Sequence, residues 1–181
     1  LTLEDPVEFI FKNKKSIVNQ REVGSDTKSF DVALKNALRQ APDCILIGEI
    51  RDRETMTSAI SYSLSGHLVL ATMHANNSYH ALGRILSFYS PEARATLLSD
   101  LAAGLRAIVS QRLLRSNAGG RVPAVEVLLN TQLVSELIER GDLSELHGWL
   151  RENVYALGSK FTPADTIERI VGGPIEPARD D

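Results

Sequence analysis

Cysteine is nearly absent from this chain: Cys44 stands alone among 181 residues. That excludes an internal disulfide and any zinc site built on paired cysteines. A basic excess is missing too, since net charge is −3 and the sequence pI is about 5.8, so there is no electrostatic case for nucleic acid as a partner. No apolar run approaches the roughly 20 residues that span a bilayer. No charged segment followed by an apolar one forms a secretion leader, so a cytoplasmic protein is expected. Aromatic residues make up only 6%, and there is no internal repeat or low-complexity block.

What is present is ordinary globular composition, 43% hydrophobic and 24% charged. It allows one domain with a real core and a small appendage. The chain starts without Met, and Leu1-Thr2-Leu3 reads as the tail of a strand. A piece of a longer protein is expected.

The stretch Cys44-Ile45-Leu46-Ile47-Gly48-Glu49 organises the rest. It is too short and β-branched for a helix, and Pro42 bars a helix from running into it. It predicts a strand buried on both faces and ending at Glu49. Open parallel sheets bind ligands at the carboxyl ends of their strands. Two readings stand at this point, a site carboxylate or a surface Glu after a core strand.

Leu1–Leu3 predicts another strand, stopped by Pro6, with Glu4, Asp5 and Glu8 around its end, a cluster that either coordinates a cation or, more commonly, sits solvated in a turn. Ser16–Val23 reads as an edge strand. Ser29 caps a helix to about Gln40, and Asp52 caps one lined by Met56, Ala59, Ile60 and Leu64. His67–His74 is a second apolar strand, and strand–helix–strand over Cys44–His74 makes a βαβ unit with a parallel sheet. A helix over Tyr79–Phe88 follows, then one opening at Ser90-Pro91-Glu92 with Leu97, Leu101, Leu105 and Ile108 inward, running on to Leu114. Arg121–Leu129 reads as a strand after a Gly-rich turn at Ser116. Thr131 and Asp142 cap two short helices separated by Gly141, Thr162-Pro163 opens a last one, and 172–181 reads as a disordered tail.

Three strand ends thus carry polar groups: Glu4, Asp5 and Glu8; Glu49; and His74. Water attack on a phosphoryl group needs a carboxylate to orient the nucleophile, others to hold Mg²⁺, and a donor for developing charge, a part His74 can fill. His67 and His74 face opposite sides of a straight strand, which makes a poor metal pair, and no zinc site is expected. His80 and His147 have no evident partner. A G-x-x-x-x-G-K-[ST] phosphate loop occurs nowhere. By its physics alone the chain is half of a nucleoside triphosphatase without its phosphate grip.

Thr2–Phe9, Asn19–Val23, Ile45–Asp52 and Gly66–His74 resemble, in order and spacing, the aspartate box, Walker B segment and histidine box of the PilT/PilU family of type IV pilus retraction ATPases. The PilU branch is the nearer. The resemblance implies an α/β fold, a RecA-like P-loop NTPase core with a mostly parallel sheet and flanking helices. It places the later part of the core over 1–129, without its Walker A segment, and a helical subdomain over 130–171. It implies ATP and Mg²⁺ as cofactors, with Glu49 and Glu8 catalytic. Glu4, Asp5, Arg51, His67 and His74 would bind the nucleotide, and Glu4 and Asp5 would hold Mg²⁺, partly through water. The partners implied are five further copies in a hexamer, a related retraction ATPase and the inner-membrane platform protein of the pilus, at the cytoplasmic base of the machine. An alternative is a weakly hydrolysing or non-hydrolysing hexamer that docks on a partner motor.

Overall fold

The computed structural model describes residues 1–115 and 120–155. The expected helix at Thr162, the expected tail and most of the turn at Ser116 lie outside the described residues. The chain forms two compact units, Leu1–His74 with Arg84–Leu105, and Ala75–Gly83 with Arg106–Asp181.

The first unit is built on a parallel sheet of four strands: β1 (Thr2–Glu4), β2 (Gln20–Glu22), β3 (Cys44–Ile47) and β4 (Leu68–Ala71). Their spatial order is β2-β1-β3-β4. Thr2 pairs with Gln20 on one side and Leu46 on the other, and Cys44 with Leu68. Leu3, Ile45 and Ile47 are fully buried, each worth ~1.5–3 kcal/mol relative to exposure. The expectation that β3 is buried on both faces is only half met, because Cys44 and Leu46 are partly exposed. As expected, β2 lies at an edge. β4, the second apolar strand expected from the sequence, is the other edge, with Leu68 and Leu70 exposed.

Helices α1 (Phe30–Ala37) and α2 (Arg53–Leu64) start where their caps predict. Ser29 Oγ accepts from Val32 N at 3.3 Å, and Asp52 accepts from Thr55 N at 2.8 Å. A 3₁₀ turn carries α1 on to Gln40. The buried Tyr62 hydroxyl donates to Leu34 O at 2.6 Å, fixing α2 against α1. α3 spans Ser78–Ser87, and α4 spans Arg94–Gly104 after a 3₁₀ turn at Pro91–Ala93.

The predicted continuation of α4 to Leu114 is wrong. Leu97 and Leu101 face inward as expected, but Leu105 is extended and the helix stops there. Ala107–Arg115 is instead β5, paired antiparallel with β6 (Arg121–Leu129) from Ala107↔Leu129 to Arg115↔Arg121. A nine-residue ladder satisfies backbone groups that a helix would have satisfied internally, so helical apolar spacing does not decide between the two. Gly104 also sits close to α2: a Cβ there would meet Ser63 Oγ at 3.2 Å.

In the second unit β6 leads into α5 (Gln132–Glu139), capped by Thr131, and α6 (Leu143–Leu150), capped by Asp142. Gly141 turns between them with φ 72°. Val134, Leu137, Ile138, Leu146 and Leu150 form the core here. His147 is not the unpartnered surface group expected. It stacks on Tyr79 with ring centroids 4.5 Å apart, while His80 meets Tyr79 edge-on at 5.5 Å.

Candidate active site

Because β1, β3 and β4 run parallel, their carboxyl ends share one edge of the sheet. The backbone there is pinned from both sides. Gly48 N donates to Leu3 O at 2.7 Å, Ile50 N donates to Thr72 O at 2.9 Å, and the Thr72 hydroxyl donates to Gly48 O. Glu49 is therefore held at the end of β3 between its two neighbouring strands. A glycine is required just before it, since a Cβ at 48 would lie 3.1 Å from Leu3 O and 3.2 Å from Glu4 Cα.

Glu49 is the buried member of a charged chain. Its side chain is 18% exposed, against 59% for Arg51 and 85% for His74. Arg51 Nε donates to Glu49 Oε2 at 2.7 Å, and His74 Nε2 lies 3.3 Å from Glu49 Oε1. The other side of the Arg51 guanidinium is 3.6 Å from Asp5 Oδ2. Pairs whose cationic partners are this exposed add little to stability. Such contacts exchange readily for a ligand's oxygens, and a half-buried carboxylate flanked by exposed donors can orient a water molecule.

Glu4 lies on the neighbouring strand. Its Oε1 accepts from the Thr2 hydroxyl at 2.7 Å and from Gln20 Nε2 at 3.0 Å. Asp5 is exposed, with Arg51 as its ion-pair partner. This oxygen set suits Mg²⁺, which keeps several waters and takes one or two carboxylates besides substrate phosphates instead of a closed protein cage. The described residues contain no closed cluster of three or more acidic, His or Cys ligands.

Of the residues singled out in the sequence, Asp5, Glu49, Arg51 and His74 are brought into one connected group, with Glu4 on the next strand. Glu8 is exposed and makes no hydrogen bond or ion pair among the described residues. His67 is not brought to this edge. It precedes β4 at the opposite, amino-terminal edge, where its Nδ1 lies 3.1 Å from Ser65 Oγ and 3.3 Å from Tyr62 O. Gln20 went unnoticed as a functional residue. Its side chain links Glu4 to Phe9 O at 2.9 Å and Phe11 N at 2.7 Å, and its only sequence signal is its place inside the Asn19–Val23 motif.

Open parallel α/β sheets place their sites at this carboxyl edge, and here the edge carries Glu4, Asp5, Glu49, Arg51 and His74. The chain belongs to the type II/IV secretion system protein family, whose model matches residues 1–136. It is 51% identical over 147 residues to the type IV pilus ATPase PilU of Pseudomonas aeruginosa, covering 81% of this chain and 38% of that protein. Against the PilT retraction ATPase of the same organism the identity is 40%, over 81% of this chain and 43% of PilT. The fold is that of the crystal structure of the pilus retraction motor PilT with bound ADP, with TM-score 0.80 and 40% identity over 93% of this chain and 51% of that one. The ATPase DotB of Legionella pneumophila also matches, with TM-score 0.75 and 26% identity over 97% of this chain and 48% of DotB. The chain spans about two fifths of the length of the curated relatives it matches.

Proposed function

We propose that the full-length protein is an ATP-hydrolysing subunit of a hexameric motor that powers type IV pilus retraction and twitching motility. The observation that carries this reading is the half-buried Glu49 at the end of β3, bridging Arg51 and His74 with Asp5 beyond Arg51. Its support is the 51% identity to PilU and the likeness to PilT, described as a retraction motor with bound ADP. On this reading 1–129 belongs to the later part of the ATPase core, and α5 and α6 belong to the subdomain that follows it. The motor works at the cytoplasmic face of the inner membrane, beside a related retraction ATPase and the pilus platform protein.

Glu49 acts as the base that orients and polarises water for attack on the γ-phosphate. His74 presents an N–H to the charge that develops there, and Arg51 can move from Glu49 to a phosphate oxygen. Asp5 and Glu4 would hold Mg²⁺, and Glu8 would be a second catalytic carboxylate. Bound Mg²⁺ supplies charge neutralisation at the phosphates. His67, at the opposite edge, sets the turn that starts β4.

The test is the ATPase rate of the full-length protein against Glu49→Ala. Loss of a positioned base costs ~10²–10⁴-fold, and equal rates would refute the assignment. A wild-type hexamer without measurable turnover, which stimulates a partner motor, would establish the accessory reading instead. Residues 1–181 alone contain no phosphate loop, so calorimetry is expected to show negligible ATP binding. Micromolar affinity would contradict the proposed division of labour with the rest of the polypeptide.

A further inference from the structure

The segment that leaves the acidic edge carries a surface that hydrolysis does not use. From Phe9 to Lys15 it reads Phe-Ile-Phe-Lys-Asn-Lys-Lys. Phe9 is 74% exposed and Ile10 87%, and Phe11 is exposed as well. Lys12, Lys14 and Lys15 are exposed, and none meets a carboxylate among the described residues. The loop nevertheless has a set form. Gln20 grips Phe9 O and Phe11 N, and Asn13 Oδ1 accepts from Val18 N at 2.8 Å. A preorganised loop with contiguous exposed apolar side chains is the mark of an interaction site, because little entropy remains to be lost on docking.

We propose that this loop docks on a second copy of the same protein, against the acidic surface of α5 and α6. From Thr131 to Leu150 the chain carries Glu136, Glu139, Asp142 and Glu145 against a single basic Lys or Arg side chain, Arg140. Glu136, Glu139 and Glu145 are exposed, and Leu133, one turn before Glu136, is an exposed apolar group. The loop contributes three cations and no acid between Phe9 and Ile17. Lysines of one copy then face carboxylates of the next, and the Phe-Ile-Phe tip covers Leu133. Two different surfaces meet, so the contact is heterologous, and head-to-tail repetition is what closes a ring. This rests on the hexamer proposed above and names the surfaces that join it. It also places the acidic edge next to a subunit boundary, because Asp5 lies only a few residues before the loop and is tied through Arg51 to Glu49.

The test is sedimentation of the full-length protein over a concentration series, with the triple variant K12E/K14E/K15E, then with E136K/E139K/E145K added to the same chain. The first variant is expected to raise the concentration of half-assembly by about tenfold or more, the product of three weakened exposed pairs. At a concentration where neither protein is assembled, the thermal midpoint by circular dichroism is expected not to move. Adding the second set is expected to restore assembly. A wild-type protein that stays monomeric sinks the hexamer itself. A wild-type ring with an unaffected loop variant overturns this inference alone, as does loss of assembly without rescue. Loop-dependent binding to phosphatidylglycerol vesicles with assembly intact would overturn it too, and assign the loop to lipid.

Discussion

Gly48→Ala isolates the close approach that holds the site together. The added methyl would lie 3.1 Å from Leu3 O and 3.2 Å from Glu4 Cα. Both are backbone atoms of β1, so neither can swing aside as a flexible side chain would. Forcing a methylene-sized group into a packed site costs ~1–3 kcal/mol. Against this stands the ~0.4–1 kcal/mol gained when Ala replaces Gly in the unfolded chain. The net expectation is a loss of about 1–2 kcal/mol, or roughly 2–8 °C in Tm for a chain of this size. The same displacement moves Asp5 and Glu4 away from Glu49, so ATPase activity of the full-length protein is expected to fall further than stability does. Urea and thermal unfolding followed by circular dichroism measure the first effect, and steady-state hydrolysis the second. An Ala variant as stable and active as wild type would show that β1 and β3 do not approach this closely, and the argument for a shared acidic edge would go with it.

Asp52→Ala removes the acceptor for Thr55 N at 2.8 Å and for the Thr55 hydroxyl at 3.1 Å, and a loss of about 1–2 kcal/mol in urea unfolding is expected. Glu92 is held below its ordinary value of 4.5, first by the Ser90 hydroxyl and then by its own N–H and Arg94. A carboxylate lowered in the folded state stabilises above its unfolded pKa, and that contribution is lost as pH falls through the folded value. Ser90→Ala is therefore expected to move the Glu92 carboxyl titration, followed by NMR, upward toward 4.5. An unchanged midpoint would show that the hydroxyl is not its main support.

Much of the candidate site was legible because its parts lie at the ends of short apolar runs. Glu49 follows Ile45–Gly48 and His74 follows Leu68–Ala71, and once those runs are strands of a βαβ unit their carboxyl ends must share an edge. Arg51 was harder to place. Nothing in its spacing says that it bridges Glu49 and Asp5, since that bridge depends on β1 pairing with β3 in the register Thr2↔Leu46. The part of Gln20 in holding Glu4 and the Phe9–Phe11 loop likewise exists only because β2 lies beside β1.

Local chemistry was settled within a few residues. Ser29, Asp52, Thr131 and Asp142 start helices because each short polar side chain reaches an orphan N–H three positions on. Pro6 and Pro42 stand where a strand must stop and where a helix cannot run on. Long-range pairing was decided by the tertiary structure. Ala107–Arg115 has apolar spacing compatible with helix and strand alike, and only β6 supplies the ladder that makes it a strand. The exposure of β4 and the stacking of His147 on Tyr79 have the same origin, because burial depends on which neighbour comes to lie alongside.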